Sequence, residues 1–258
     1  MSLVLRNVSF GYEAVRPVLR GVSVEFAPGA VTAIIGCNGA GKSTMLRLLA
    51  GLRRPTSGSA TVGADEVAEL SASERARRVI YLPQQSSVAF DYSVREVVAM
   101  GGFALSSAEG AADEALARVG LVDRASDLFL TLSAGQQQRV NLARAIAQIG
   151  SSRDEQYLLA DEPVSAMDPH HAQLAMRLLK EIASSGVGVV VVLHDLSLVL
   201  RFADEVVLLG ERGRIHSRGG TASVMTPGAL EEIFEIGFEQ LRDARGIAAA
   251  FVPSVVNP

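Results

Sequence analysis

Cysteine is almost absent from this chain of 258 residues: Cys37 stands alone, so no disulfide can close within it. A basic excess is missing too. Lysine and arginine number 24 against 28 aspartates and glutamates, a formal net charge of −4, which argues against a protein that tracks a nucleic-acid backbone. Long apolar runs are also lacking. The most apolar stretch, Val187 to Leu193, stops at His194 and Asp195, well short of the roughly 20 residues a membrane-crossing helix needs. If the protein works at a membrane, another chain crosses it. The opening residues Met1 to Arg6 show no basic region followed by an apolar core and a small-residue cleavage site, so a cytosolic protein is expected. No internal repeat or low-complexity tract is visible. Apolar material is ample, at 48% of residues, enough for one large domain carrying a sizeable subdomain.

The most informative segment is Gly36-Cys37-Asn38-Gly39-Ala40-Gly41-Lys42-Ser43-Thr44. It follows an apolar run, Ala30 to Ile35, and leads into the helical pattern Met45 to Ala50, so it reads as strand, glycine-rich loop, helix. The G-x-x-x-x-G-K-[ST] spacing closes backbone N–H groups around an anionic polyphosphate at a helix N-terminus, where the helix dipole adds positive potential. Lys42 supplies a point charge for the β- and γ-phosphates, and Ser43 a hydroxyl for Mg²⁺. Gly36, Asn38, Gly39, Ala40, Gly41, Lys42, Ser43 and Thr44 are therefore the candidate nucleotide-binding residues, with ATP as ligand. The thiol of Cys37 lies beside the same helix N-terminus, a setting that lowers a thiol's pKa; if open to solvent it would be alkylated, and ATP would protect it.

Residues 1–35 alternate short apolar runs with turn signals, which suits antiparallel strands. Val79 to Leu82, Tyr157 to Ala160 and Val187 to Leu193 are short apolar runs followed by Pro, Asp or His, the kind expected of parallel strands covered on both faces. Residues 86–150 differ: Val94, Val97, Val98 and Leu116, Val119, Leu121 fall at helical spacing, and Ser93 with Glu96 makes a capping-box signature. We read one domain over 1–258, with a nucleotide-binding core at 1–85 and 151–220 and a helical subdomain inserted at 86–150. A C-terminal extension follows at 221–258, with a helix over Pro227 to Ile236 and a strand pair, Phe238 to Leu241 and Ile247 to Val252. The fold class is α/β.

A second signal is the run Tyr157 to Pro163. A buried strand there delivers Asp161 and Glu162 to its C-terminal end, the edge where open α/β sheets bind ligands. Asp161 suits a hydrated Mg²⁺, and Glu162 suits acceptance of a proton from water attacking the γ-phosphate. The third is Leu132-Ser133-Ala134-Gly135-Gln136-Gln137-Gln138-Arg139-Val140, running into a helix. With it the chain resembles the ATP-binding cassette proteins, whose signature motif usually reads LSGGQ; Ala134 replaces the first of its two glycines.

The resemblance runs from Leu3 to about Gly220 and implies the rest. The fold is a P-loop nucleotide-hydrolase core with an antiparallel β subdomain and the inserted helical one. Ser133, Gly135 and Gln136 cap the γ-phosphate held by a second copy, so the protein is a homodimer with two composite sites. Gln84 matches the glutamine that contacts Mg²⁺ and the attacking water, joining Ser43 and Asp161 as metal-site residues. His194 matches the histidine that senses the γ-phosphate, Asp168 the loop that crosses the dimer interface, and Tyr12 the aromatic that stacks on adenine. Glu162, His194 and Gln84 form the catalytic set. A cassette without membrane helices resembles the separate ATPase subunit of a bacterial importer, peripheral to the cytoplasmic face of the inner membrane. It would work with two permease subunits and, indirectly, a periplasmic or lipoprotein substrate-binding protein, and without nucleic acid. The segment Tyr92 to Gly101 and the run Val192 to Leu198 are similar to the group serving iron-chelate, haem and cobalamin permeases, and the polar connector Gln148 to Gln156 is similar to haem-import ATPases. Haem is the expected cargo, with a ferric siderophore or cobalamin as the alternative and a soluble non-transport cassette ATPase as the remoter one. The permease is expected to dock on residues 86–105, through whichever of Val88, Phe90 and Val94 are exposed.

Overall fold

The computed structural model describes residues 1–13, 17–85, 91–105, 110–149 and 155–254. In chain order the first elements are β1 (Leu3–Phe10), β2 (Leu19–Phe26), β3 (Val31–Gly36), α1 (Lys42–Leu49), β4 (Ser57–Val62), β5 (Asp65–Glu66), α2 (Ala72–Arg78) and β6 (Val79–Leu82). The helical stretch follows as α3 (Val94–Ala99), α4 (Ala111–Arg118) and α5 (Ala134–Ala147). Then come β7 (Tyr157–Asp161), α6 (Pro169–Ser184), β8 (Gly188–Val192), α7 (Leu196–Phe202), β9 (Glu205–Leu209) and β10 (Ile215–Gly220). The chain closes with α8 (Thr221–Val224), α9 (Pro227–Phe234), β11 (Phe238–Arg242) and β12 (Ala248–Pro253).

Among the described residues the largest sheet has six strands in the order β10-β9-β3-β8-β7-β6, all parallel except β10. Its inner strands β3, β7 and β8 are buried along their whole length because successive side chains point to opposite faces and both faces are covered. Ile34, Leu159, Val190 and Val207 pack with α1 and the strands β1, β2 and β4. Their neighbours Ala33, Leu158, Val191 and Val206 pack on the other side with α6, α7 and the helices α3 to α5. Truncating one such residue, as in Leu159→Ala, costs about 2–5 kcal/mol.

The four-stranded sheet β2-β1-β4-β5 is antiparallel. It is fastened to the parallel sheet by Tyr157, fully buried in β7, whose hydroxyl donates to the carbonyls of Phe26 at 3.0 Å and Met1 at 2.7 Å. Burial pushes that hydroxyl's pKa up to about 12. The antiparallel reading of residues 1–35 holds for β1 and β2 but not for β3, which leaves for the middle of the parallel sheet. A strand apolar on both faces needs cover on both, and a half-solvated antiparallel sheet offers one. Its place in that sheet is taken by β4 and β5, which the sequence reading did not single out.

The predicted capping box is present: Ser93 accepts from the Glu96 N–H, and the Glu96 carboxylate accepts from the Ser93 N–H. Val94 is fully buried in α3, which removes it from any docking surface. Its position, first in a short helix packed on α5, faces the subdomain core. Val88 and Phe90, and most of the connector between Gln148 and Gln156, lie outside the described residues. The parallel topology brings the C-terminal ends of β3, β7 and β8 to one edge, and the site is assembled there.

Candidate nucleotide site

The loop after β3 turns into α1 at Gly41, the helix N-cap, with φ of 102°. A side chain would be strained there, and an added Cβ would also meet Leu19 Cδ2 at 2.7 Å. No side chain caps the helix, so its first N–H groups keep their capacity for an anion. Lys42, the first residue of α1, is buried and donates from Nζ to the carbonyls of Gly36 at 2.7 Å and Cys37 at 2.9 Å. Burial pulls its pKa below the ordinary lysine value, opposed by the charges of Glu162 and Asp161. Asn38, Gly39 and Ala40 complete the loop, and the Ala40 N–H donates to the Cys37 carbonyl. Ser43 and Thr44 follow in the first turn of α1. The Cys37 thiol points elsewhere, donating to the carbonyl of Ile233 in α9 at 2.8 Å.

Asp161 ends β7 with 1% of its surface exposed. It accepts from Ser43 Oγ at 3.0 Å and from the Tyr81 hydroxyl at 3.4 Å. Burial raises its pKa despite those bonds, because an ionised carboxylate loses hydration that two hydroxyls replace only partly. A cation beside it would remove that penalty. One carboxylate with an adjacent hydroxyl, open to phosphate oxygens and water, fits Mg²⁺, which keeps waters and rarely takes an all-protein cage. Among the described residues no cluster of three or more His, Cys, Asp or Glu offers such a cage.

Glu162 follows in a left-handed conformation, φ 50°, on the order of 1–3 kcal/mol of strain for a residue with a Cβ. Its carboxylate is gripped from both sides: Gln84 Nε2 donates to Oε2 at 2.7 Å, and His194 Nε2 lies 2.7 Å from Oε1. The second contact is a hydrogen bond when the imidazole carries its proton on Nε2. Gln84 follows β6 and His194 follows β8, the two strands that flank β7. Tyr12 stands at the mouth of the phosphate loop, 53% exposed, edge-on to Phe10 with ring centroids 5.1 Å apart. Its hydroxyl lies 3.3 Å from Thr44 Oγ1 and accepts from Arg47 at 3.1 Å, and these bonds hold its pKa below the usual tyrosine value.

The remaining predicted residues gather elsewhere. Ser133 caps α5, accepting from the Gln136 N–H at 3.3 Å while Gln136 Oε1 accepts from the Ser133 N–H at 2.9 Å. Ala134 is the first helical residue and needs no glycine conformation. Gly135 is also helical, but there space demands glycine: an added Cβ would sit 2.7 Å from the Ala166 carbonyl oxygen. Asp168 caps α6, accepting from the His171 N–H at 3.0 Å and pairing with His171 Nδ1 at 2.6 Å, and these bonds hold its carboxyl down at about 2. Among the described residues no hydrogen bond joins Ser133, Gly135, Gln136 or Asp168 to the phosphate loop. A cavity of about 840 Å³ beside Glu162 and His194 is walled by Met167 and Leu198 and reached from the far side by Arg245 and Ile247 of the C-terminal hairpin.

Three participants escaped the sequence reading. Tyr81 and Arg47 are invisible without the strand and helix placements that aim them at Asp161 and Tyr12. Gln138 touches the loop after Glu162; its spacing of three from Gly135 on one helix places both on one face, a signal available in the sequence.

Residues 19–165 match the family model described as ABC transporter. A hemin import ATP-binding protein, HmuV, of Rhizobium meliloti (strain 1021) is 41% identical over 226 residues, covering 85% of this chain and 86% of that protein. The protein of the same name from Bordetella pertussis is 37% identical over 245 residues, covering 92% and 93%. A chain of an ABC transporter described as metal-chelate type, solved in an inward-facing conformation, superposes with a TM-score of 0.81 at 28% identity, covering 99% of this chain and 98% of that one. A dimeric bacterial ABC transporter cassette superposes with a TM-score of 0.74 at 28% identity, covering 85% and 98%.

Proposed function

The chain belongs to the ABC transporter family and is an ATPase of P-loop fold, and from that premise we propose that it powers the import of haem through a membrane permease. For hydrolysis, the observation that carries the reading is Glu162, held between Gln84 and His194 one residue beyond the buried Asp161. Glu162 accepts the proton of the attacking water. Lys42 exchanges two loop carbonyls for the phosphates. His194 and the open N-terminus of α1 stabilise the charge that develops on the γ-phosphate, so catalysis is chiefly positioning and electrostatics. Ser43 and Asp161, with Gln84, would hold Mg²⁺, which would neutralise phosphate charge. Tyr12 stacks on the adenine. Ser133, Gly135 and Gln136 complete the site of a second copy, with Asp168 and its loop at the interface.

No helix among the described residues is long and apolar enough to cross a membrane, which agrees with a subunit that borrows its membrane path from other chains. We place it on the cytoplasmic face of the inner membrane, beneath two permease subunits supplied by a periplasmic or lipoprotein binding protein. The domain division given above, with helical residues 86–150 inserted between the core segments, is part of this reading. So is the docking surface within residues 86–105, where Val94 is buried and Met100 and Phe103 are exposed; Phe103 is 92% exposed, an unusual state for a phenylalanine.

The relatives named as hemin importers support haem as cargo. Deleting the gene and supplying iron as haem or as a ferric siderophore in separate cultures tests the assignment. Loss of growth on haem alone is expected. Normal growth on haem, with failure on the siderophore or on cobalamin-dependent medium, transfers the cargo to the alternative.

A further inference from the structure

Gln138 lies one helical turn into α5, and its amide is used at both ends. Nε2 donates to Ser165 Oγ at 2.9 Å and lies 3.4 Å from the Glu162 carbonyl oxygen, while Oε1 accepts from the Ala166 N–H at 3.0 Å. Ser165 Oγ in turn donates to the same Glu162 carbonyl at 3.2 Å. One turn earlier on that face, Gly135 meets the Ala166 carbonyl so closely that a methyl group has no room. The segment from Glu162 to Ala166 is therefore fixed to α5 by a side-chain amide and by a backbone contact.

That segment needs fixing. Glu162 is one of three non-glycine residues with positive φ among the described residues, and such a conformation persists only where its surroundings impose it. Gln84 and His194 hold its carboxylate. Among the described residues nothing else from outside the segment is hydrogen-bonded to its carbonyl; within it, Ser165 donates from its N–H at 3.3 Å and from its hydroxyl, and that hydroxyl is oriented by Gln138.

We propose that Gln138 is a positioning residue for the catalytic glutamate: it locks the backbone of Glu162 and the following loop to α5, so that a movement of the helix bearing Ser133 is transmitted to the base of the same chain. This rests on the assignment of Glu162 as the base. Replacing the amide lets Glu162 relax toward ordinary backbone angles and carries its carboxylate off the line of the attacking water, where a displacement of an ångström costs up to about 10²-fold.

The test uses Gln138→Leu, which removes all three hydrogen bonds of the amide and keeps bulk and helix propensity, and Gln138→Glu, which keeps the acceptor for Ala166 and loses the donor. For Gln138→Leu, kcat should fall about 10- to 10²-fold with KM for ATP within about threefold, and Gln138→Glu should fall between it and the parent. In a Glu162→Gln background, Gln138→Leu should add less than about threefold, since a base already removed cannot be misplaced. Losses that multiply in the double variant, or a KM that rises while kcat holds, overturn the proposal. If instead Glu162→Gln alone leaves turnover intact, the assignment of the base has failed. The link itself is then judged by hydrogen exchange at the Ala166 amide, which should lose protection in Gln138→Leu; unchanged protection overturns the proposal without reference to turnover.

Discussion

The two helix N-termini to which the proposed mechanism assigns the phosphate chemistry are finished differently. At the phosphate loop, α1 has no side-chain cap, Lys42 is a buried charge bonded only to carbonyls, and Asp161 is a buried carboxylate whose ionisation burial opposes. Each is a demand that a magnesium nucleotide meets. At the signature segment α5 is already capped, Ser133 and Gln136 satisfying each other's N–H groups, and the neighbouring Asp168 is spent on α6. The first end leaves its N–H groups unmatched by side chains; the second is already satisfied, which suits the proposed role of a surface that meets a phosphate held by a second copy.

The α5 cap differs from two others in the same molecule. Ser71 and Ser93 also head capping boxes, but with Glu74 and Glu96 as partners, and each serine hydroxyl donates to the carboxylate, at 2.6 and 2.7 Å. Both glutamates are held below their usual pKa by that hydroxyl. In the α5 box the partner is Gln136, neutral, and Ser133 Oγ accepts without donating to any described residue. Its proton is left for another acceptor, and its cap partner is an amide and not a carboxylate.

The largest effect that tests the contrast comes from Glu162→Gln. Removing a general base should slow steady-state hydrolysis by about 10² to 10⁴, while ATP affinity, set at the α1 end, stays within a few-fold. ATP-loaded dimers should accumulate in size-exclusion chromatography. Turnover within a few-fold of the parent would show that the proton goes elsewhere.

A smaller effect is expected from Gln136→Glu, which converts the α5 box into the kind found at Ser71 and Ser93. The carboxylate should capture the Ser133 proton and place a charge beside the γ-phosphate. Loss of one charge-aimed donor predicts a fall in turnover of about 10- to 10²-fold, with the melting temperature unchanged or raised because the cap itself improves. ATP binding to the monomer, followed by fluorescence of a labelled nucleotide, should be unaltered. A parental rate in Gln136→Glu would mean that the signature end does not contribute through the Ser133 hydroxyl.

What the sequence made legible follows the same division. The phosphate loop is contiguous, so spacing alone assembles Gly36 to Thr44, and the buried strands announce themselves as apolar runs that end at Asp161 or just before His194. Tyr81, Arg47 and Gln138 act through contacts across 80, 35 and 24 to 28 positions, and no local pattern encodes a register between β6 and β7 or the seating of α5. The migration of β3 was half readable: its doubly apolar faces demanded cover, but which strands would replace it beside β1 depended on a long-range pairing of β4. Whether Val94 is exposed was not readable, because a capping box locates the start of a helix and does not say which face the first residue presents; it is buried.

The smallest expected effect concerns Cys37, which belongs to the phosphate loop in sequence but faces away from its chemistry. Its thiol is half-buried and donates to the Ile233 carbonyl, while its own carbonyl is one of the two that hold Lys42. The backbone therefore serves the nucleotide site and the side chain serves the contact with α9. A thiol is a weak donor, so Cys37→Ala should cost less than about 1 kcal/mol of stability and leave ATP affinity within about threefold. Alkylation has first to break the contact with α9, which predicts slow labelling at rates that are equal with and without Mg-ATP when followed by intact mass. Strong protection by Mg-ATP would put the thiol in the nucleotide pocket and restore the reading that placement beside a helix N-terminus suggested. Equal rates would instead mark α9 as the element that shields this face of the loop, whether or not the nucleotide is bound.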